Sequence, residues 1–364
     1  MLLAAHALPP EASSPALDTH HLVHMRLKLP IARLLKVQRR WGKTLIKAAS
    51  TSQKIMVEPR RARRRKSKLI EITSFGSNPG NLRMLTYVPP HLPDSAPLVV
   101  VLHGCLQTAQ AYDEGSGWST LAKRYGFALV YAEQSRTNNP NRCFNWFRPG
   151  DARRGSGEAL SIRQMVTRMR RSHGVDPARI FITGLSAGGA MTAVMLATYP
   201  EVFAGGGIIA GLPFGAASDV RHVMAAMKKP RPRTAQQWGD LVRSASAHMG
   251  RRPAVSIWHG TNDGTVAVAN ADDLLSQWTN VHGVPEETFA QSAVGGHCRR
   301  TWLNKKGEAV VELTLIEGMG HGTPVRRTKA QASAGSAGPF MLDVGLSSSL
   351  HLARSWGLVR TKAG

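Results

Sequence analysis

The chain has 364 residues, of which 42% are hydrophobic and 6% aromatic, and it carries a net charge of +24. That length and apolar content support one large core or two modest ones, and no apolar run reaches the ~18 residues of a membrane-spanning helix. The three cysteines, Cys105, Cys143 and Cys298, are too few for a disulfide scaffold and show no zinc-type Cys-x-x-Cys spacing.

The charge is uneven. Residues 1–68 hold 16 Lys/Arg against 3 Asp/Glu, more than half of the net charge. They read as a basic N-terminal arm, flexible or partly helical, ahead of a folded domain over 69–364. Within the arm, Ile31 to Ala49 is a candidate helix with Leu34, Leu35, Trp41 and Leu45 on one side, and Arg60 to Lys68 is a charge run. Residues 25–49 are basic and acid-free, in the manner of a transit peptide, which makes Met25 a candidate start. Such an arm is a solvated tail or an electrostatic contact for anionic surfaces. It points to no specific nucleic-acid partner.

From residue 69 the pattern becomes that of alternating strands and helices. Leu82–Val88 reads as a strand closed by Pro89-Pro90. Leu98–Leu102 is a continuous apolar run, as in a buried parallel strand, and ends at His103-Gly104. Phe127–Tyr131 is another strand, and Glu158–Arg171 has helical spacing. Arg179–Thr183 is a third buried strand, followed by a helix of small residues over Ala187–Thr198. Gly207–Ala210, Ala254–Trp258 and Val310–Ile316 complete the strands, with a helix over Asp272–His282. This order predicts an α/β fold with a mainly parallel sheet and helices on both faces, whose functional groups gather where strands end at their carboxyl edge.

Three strand ends carry chemistry. Gly184-Leu185-Ser186-Ala187-Gly188 fits G-x-S-x-G in the required strand–turn–helix context, which makes Ser186 a candidate nucleophile. A serine hydroxyl needs a base, and the base needs an orienting carboxylate. In the chain order that accompanies this turn the carboxylate follows the serine and the histidine comes last. Asp263 follows the fifth of the main strands and His321, between glycines, follows the sixth. Asp272 and Asp273 fall within a helix and read as solvated. His259 reads as a structural hydrogen-bonding residue in the turn of Asp263, His103 as shaping its own turn, and His297 as bordering the site from a glycine-rich loop. The oxyanion of acyl transfer needs donors, for which the backbone N–H groups of Ala187 and Cys105 are the candidates. The chemistry calls for no metal or cofactor. On cysteine spacing alone, a Cys105–Cys143 bridge and three reduced thiols remain equal alternatives.

With these pieces placed, the chain resembles the poly(3-hydroxybutyrate) depolymerase family of esterases, of the α/β-hydrolase fold, over roughly 69–358. The resemblance lies in Leu102-His103-Gly104-Cys105-Leu106-Gln107-Thr108, in Asn139 to Phe147, in Gly184 to Met191, in Gly318 to Pro324 and in Gly338 to Gly345. It implies the triad Ser186, Asp263 and His321, an oxyanion role for the Cys105 amide, a Cys105–Cys143 disulfide, and a substrate wall at Asn145-Trp146-Phe147. The substrate it implies is a short-chain hydroxyalkanoate ester or polyester oligomer, with feruloyl or acetyl-xylan esters as the alternative. An anionic-surface or granule-binding protein using the basic arm is the reading from another class. Neither a linker with a polymer-binding module nor a clear export signal is visible. The family resemblance nonetheless implies an extracellular enzyme, with a cytoplasmic one as the alternative.

Overall fold

The computed structural model describes residues 67–327 and 338–359. The Ile31–Ala49 segment and most of the Arg60–Lys68 run lie outside the described residues.

The described chain runs β1 (Ile70–Ile72), β2 (Arg83–Tyr87), β3 (Leu98–Leu102), α1 (Ala109–Ser116), α2 (Trp118–Tyr125), β4 (Ala128–Glu133), α3 (Pro149–Ala152) and α4 (Gly157–His173). It continues through β5 (Ile180–Leu185), α5 (Ala187–Thr198), β6 (Gly205–Ile209), α6 (Val220–Lys228), α7 (Ala235–Ser244), β7 (Ala254–Gly260) and α8 (Ala269–His282). The remaining elements are β8 (Ala290–Val294), β9 (His297–Leu303), β10 (Ala309–Ile316), β11 (Thr323–Val325), β12 (Met341–Asp343) and α9 (Ser348–Ser355).

Among the described residues ten strands form one sheet in the order β1-β2-β4-β3-β5-β6-β7-β10-β9-β8. The inner strands from β4 to β10 pair in parallel, while β2 and β9 join them antiparallel. A parallel sheet needs cover on both faces, and the apolar runs supply what that cover buries: all five residues of β3 and all six of β5 are buried. Every residue of α5 is buried as well. The fold is that of an α/β-hydrolase.

Parallel pairing also sets where the site can be. Leu102 lies opposite Gly184, Leu185 opposite Ile209, Ile209 opposite Trp258, and Gly260 opposite Ile316. The loops after β3, β5, β7 and β10 therefore leave the sheet along one edge. β2 falls where a strand was expected over Leu82–Val88, whereas β1 and the β8–β9 hairpin were not among the expected elements. β1 is largely exposed and β8 is exposed over its first four residues, so neither carries the apolar pattern of the inner strands.

The loop after β3 is joined to the segment after β4 by a disulfide between Cys105 and Cys143, 38 residues apart. Cys298 is free and exposed. Closing a loop of that length restricts the unfolded chain, so replacing Cys105 and Cys143 together by Ser is expected to lower the unfolding free energy by about 4 kcal/mol. Denaturant unfolding of the double variant against the parent checks this.

Candidate active site

Ser186 sits between β5 and α5 with φ 57° and ψ −117°, a left-handed conformation that a side chain rarely adopts. The turn holds because the backbone approaches itself very closely. A Cβ on Gly184 would stand 2.3 Å from the Gly188 carbonyl oxygen, and one on Gly188 would stand 2.6 Å from those of Leu102 and His103. Only glycine fits at either position. The Ser186 N–H donates to the Ile209 carbonyl at 2.8 Å, which ties the turn to the neighbouring strand. Ser186 opens α5, whose first N–H groups have no partner within the helix.

Asp263 is buried in the turn after β7. Its Oδ1 accepts from the N–H groups of Thr265 and Val266 at 2.8 and 2.9 Å, and its Oδ2 is 2.7 Å from His321 Nδ1. His259 Nε2 donates to the Val266 carbonyl at 2.9 Å, and the same nitrogen lies 3.4 Å from Asp263 Oδ2. Burial works to raise the Asp263 pKa, but the two imidazoles and their hydrogen bonds hold it well below the usual carboxylate range. The carboxylate is thus ionised and fixes the His321 ring with Nδ1 protonated, leaving Nε2 as the basic nitrogen. His321 is also packed edge-on against Phe340 at 6.0 Å.

Ser186 borders two cavities. A small one, about 170 Å³, is lined by Gly104, Cys105, Leu185, Ser186, His321 and Phe340. A larger one, about 500 Å³, adds Cys143, Trp146, Ala187 and Leu212, with Val223, Met224 and Met227 from α6, and Thr265 and Val266 beside Asp263. Its lining is predominantly apolar, as suits an acyl or alkyl chain.

The structure brings Ser186, His321, Cys105 and Ala187 to these cavities, with Asp263 directly behind His321, and sets Trp146 in the wall of the larger one. Asn145 is not in that wall. Its side chain turns inward, accepting from Asn139 and donating to Glu158 at 2.7 Å. His297 borders neither cavity; it opens β9 opposite Val294, on the hairpin at the outer edge of the sheet. A glycine pair before a histidine served there as a hairpin turn. His103 is buried, with Nδ1 donating to the Gly104 carbonyl and Nε2 accepting from the Gln134 N–H. Asp273 accepts from the indole of Trp238 at 3.2 Å.

Sequence reasoning missed two groups. The apolar lining of α6 had a signal in the i, i+4 pair Val223 and Met227 behind the N-cap Asp219, whose carboxylate accepts from the Arg221 and His222 N–H groups. The other is Glu158, counted only as the start of a helix. It is fully buried and accepts from the Asn145 N–H at 2.9 Å, from the Asn145 amide and from the Gln134 amide, which also donates to the Cys143 carbonyl at 3.1 Å. Burial pushes its carboxyl up to about 8, against those hydrogen bonds. Through them Glu158 anchors the strip from Cys143 to Trp146. Glu158→Ala removes both carboxyl oxygens and leaves the buried Asn145 and Gln134 donors without that acceptor. A loss of about 1–3 kcal/mol is expected, read as a lowered midpoint in thermal unfolding.

Comparison with known proteins places the chain in a family. Residues 82–301 match the family model described as Esterase PHB depolymerase. The chain is 47% identical over 292 residues to poly(3-hydroxyalkanoate) depolymerase C of Paucimonas lemoignei, covering 80% of this chain and 70% of the relative. It is 36% identical over 225 residues to feruloyl esterase B of Thermothelomyces thermophilus, covering 60% and 76%. It is 34% identical over 276 residues to an acetylxylan esterase of Coprinopsis cinerea, covering 73% and 72%. Among solved structures, an acetyl xylan esterase from Aspergillus awamori superimposes with a TM-score of 0.67 at 25% identity, over 80% of this chain and 99% of that one. The protein is a carboxylic ester hydrolase that belongs to the PHB depolymerase family of esterases.

Proposed function

We propose that this esterase hydrolyses short-chain hydroxyalkanoate esters through an acyl-enzyme on Ser186. The observation that carries this reading is the buried Asp263–His321 hydrogen bond at 2.7 Å, with His321 and Ser186 lining one cavity.

In the proposed cycle His321 Nε2 takes the proton of Ser186 as Oγ attacks the ester carbonyl. Asp263 keeps the ring oriented and stabilises the imidazolium that forms. The carbonyl oxygen becomes an oxyanion, held by two backbone N–H groups. Ala187 supplies one, as the first helical residue after the nucleophile. Cys105 supplies the other. The loop amides around it are already committed within the protein: Gly104 N–H to Gln107 Oε1 at 2.8 Å, Leu106 N–H to the Asn141 carbonyl at 2.7 Å and Gln107 N–H to the Gly104 carbonyl at 3.3 Å. His321 then returns the proton to the leaving alcohol, and water attacks the acyl-enzyme by the same route.

The kinship with poly(3-hydroxyalkanoate) depolymerase C supports hydroxyalkanoate esters, including polyester oligomers, as the substrate class. A second reading, feruloyl or acetyl esters of plant polysaccharides, draws on the other relatives and on the Aspergillus awamori structure. The charge of residues 1–68 supports an added electrostatic attraction of the chain to anionic surfaces.

Kinetics on hydroxybutyrate oligomers, polymer film, acetylated xylan and methyl ferulate test the substrate class. The oligomers are expected to give the highest kcat/KM, and Ser186→Ala to lower it by about 10⁴-fold or more. A preference for methyl ferulate or acetylated xylan would move the enzyme to the second reading, and near-normal turnover by Ser186→Ala would refute the mechanism.

A further inference from the structure

The larger cavity has a feature that ester hydrolysis itself does not require. Its lining is apolar or weakly polar except at one position, Lys228. The helix α6 turns Val223, Met224 and Met227 toward the cavity and ends at the rim with Lys228, which is exposed. The ammonium donates to the carbonyl of Gly264, the residue after Asp263. An ammonium has three N–H donors, so this bond places Lys228 and leaves two for a ligand. Lys229 and Arg231, both exposed, follow closely in the chain.

The cavity therefore has Ser186 at one place on its wall, an apolar stretch of Leu212, Val223 and Val266, and a cation at its mouth. A long aliphatic stem over apolar surface with its charge in solvent is the ordinary way a lysine lines such a rim. The complementary ligand is an ester whose chain is apolar in the middle and anionic at its end. We propose that Lys228 forms a subsite for a carboxylate carried by the substrate, so that the enzyme favours esters ending in a free carboxylate over neutral ones. Oligomers of hydroxy acids end in such a group, whereas acetyl and feruloyl esters of neutral sugars do not. The ion pair would be charge-assisted and partly shielded by the apolar wall. This inference rests on the esterase reading above and refines its substrate class.

The experiment compares kcat/KM within two matched pairs for the parent, Lys228→Met, Lys228→Glu and Lys228→Arg. One pair places the carboxylate on the leaving side: the linear hydroxybutyrate trimer and its terminal amide. The other places it on the acyl side: the p-nitrophenyl monoester of glutaric acid and p-nitrophenyl valerate. The anionic-to-neutral ratio is expected to fall by about tenfold in Lys228→Met in one pair, through KM, to fall further in Lys228→Glu and to be kept in Lys228→Arg. The pair that responds identifies the side of the scissile bond that the cavity receives. Ratios unchanged in both pairs would overturn the subsite. Ser186→Ala, run alongside, separates the two ideas: if it is inactive while the ratios stay unchanged, the subsite fails and the esterase reading stands.

Discussion

A carboxylate and an imidazole 58 residues apart meet at 2.7 Å beneath the surface, and the rest of the site is arranged around that contact. Burying Asp263 as an anion is costly unless its oxygens are satisfied. Two backbone N–H groups on one oxygen and His321, with His259 more distant, on the other meet that requirement. Once fixed, the carboxylate decides which nitrogen of His321 carries the proton, and so which one can act as a base. The neighbouring parallel strands β7 and β10 make the meeting feasible, because their last residues, Gly260 and Ile316, lie side by side.

The opposite side of the site is held by different means. A disulfide joins the loop after β3 to the chain beyond β4, and Glu158 gathers the donors of Asn145 and Gln134 behind the cavity wall. Gln134 extends this network in both directions, accepting nothing from the wall but donating its amide to the Cys143 carbonyl and its N–H to His103. The Cys105 loop exits into α1, where Thr108 accepts the Ala111 N–H and Glu133 accepts the Ala109 N–H. Such polar contacts are strong where water is excluded. They give the loop after β3 and Trp146 a common support, so the cavity wall and the proposed Cys105 donor are positioned together.

The inner strands were legible because a strand buried on both faces must be a continuous apolar run. Leu98–Leu102 came out with its observed bounds, as did the helix Ala187–Thr198. Strand ends then located Ser186, Asp263 and His321, since parallel strands send their carboxyl ends to one edge. The outer hairpin escaped notice because exposed strands such as β8 carry no such pattern. Glu158 escaped for the converse reason. A charged residue at a helix start reads as solvated, and its burial is decided by Asn145 and Gln134, which pack against it only in the folded chain. His297 and Asn145 stood next to legible motifs, but neither nearness in sequence nor a glycine-rich neighbourhood says which way a side chain turns.

The central claim is that Ser186 Oγ becomes covalently acylated, with His321 as its base. Incubating the native enzyme with a fluorophosphonate and mapping the adduct by peptide mass spectrometry tests this directly. The account predicts a single modification, on the peptide containing Ser186, with labelling strongly slowed in a His321→Ala variant. Labelling at another residue, or equal labelling rates with and without His321, would contradict it.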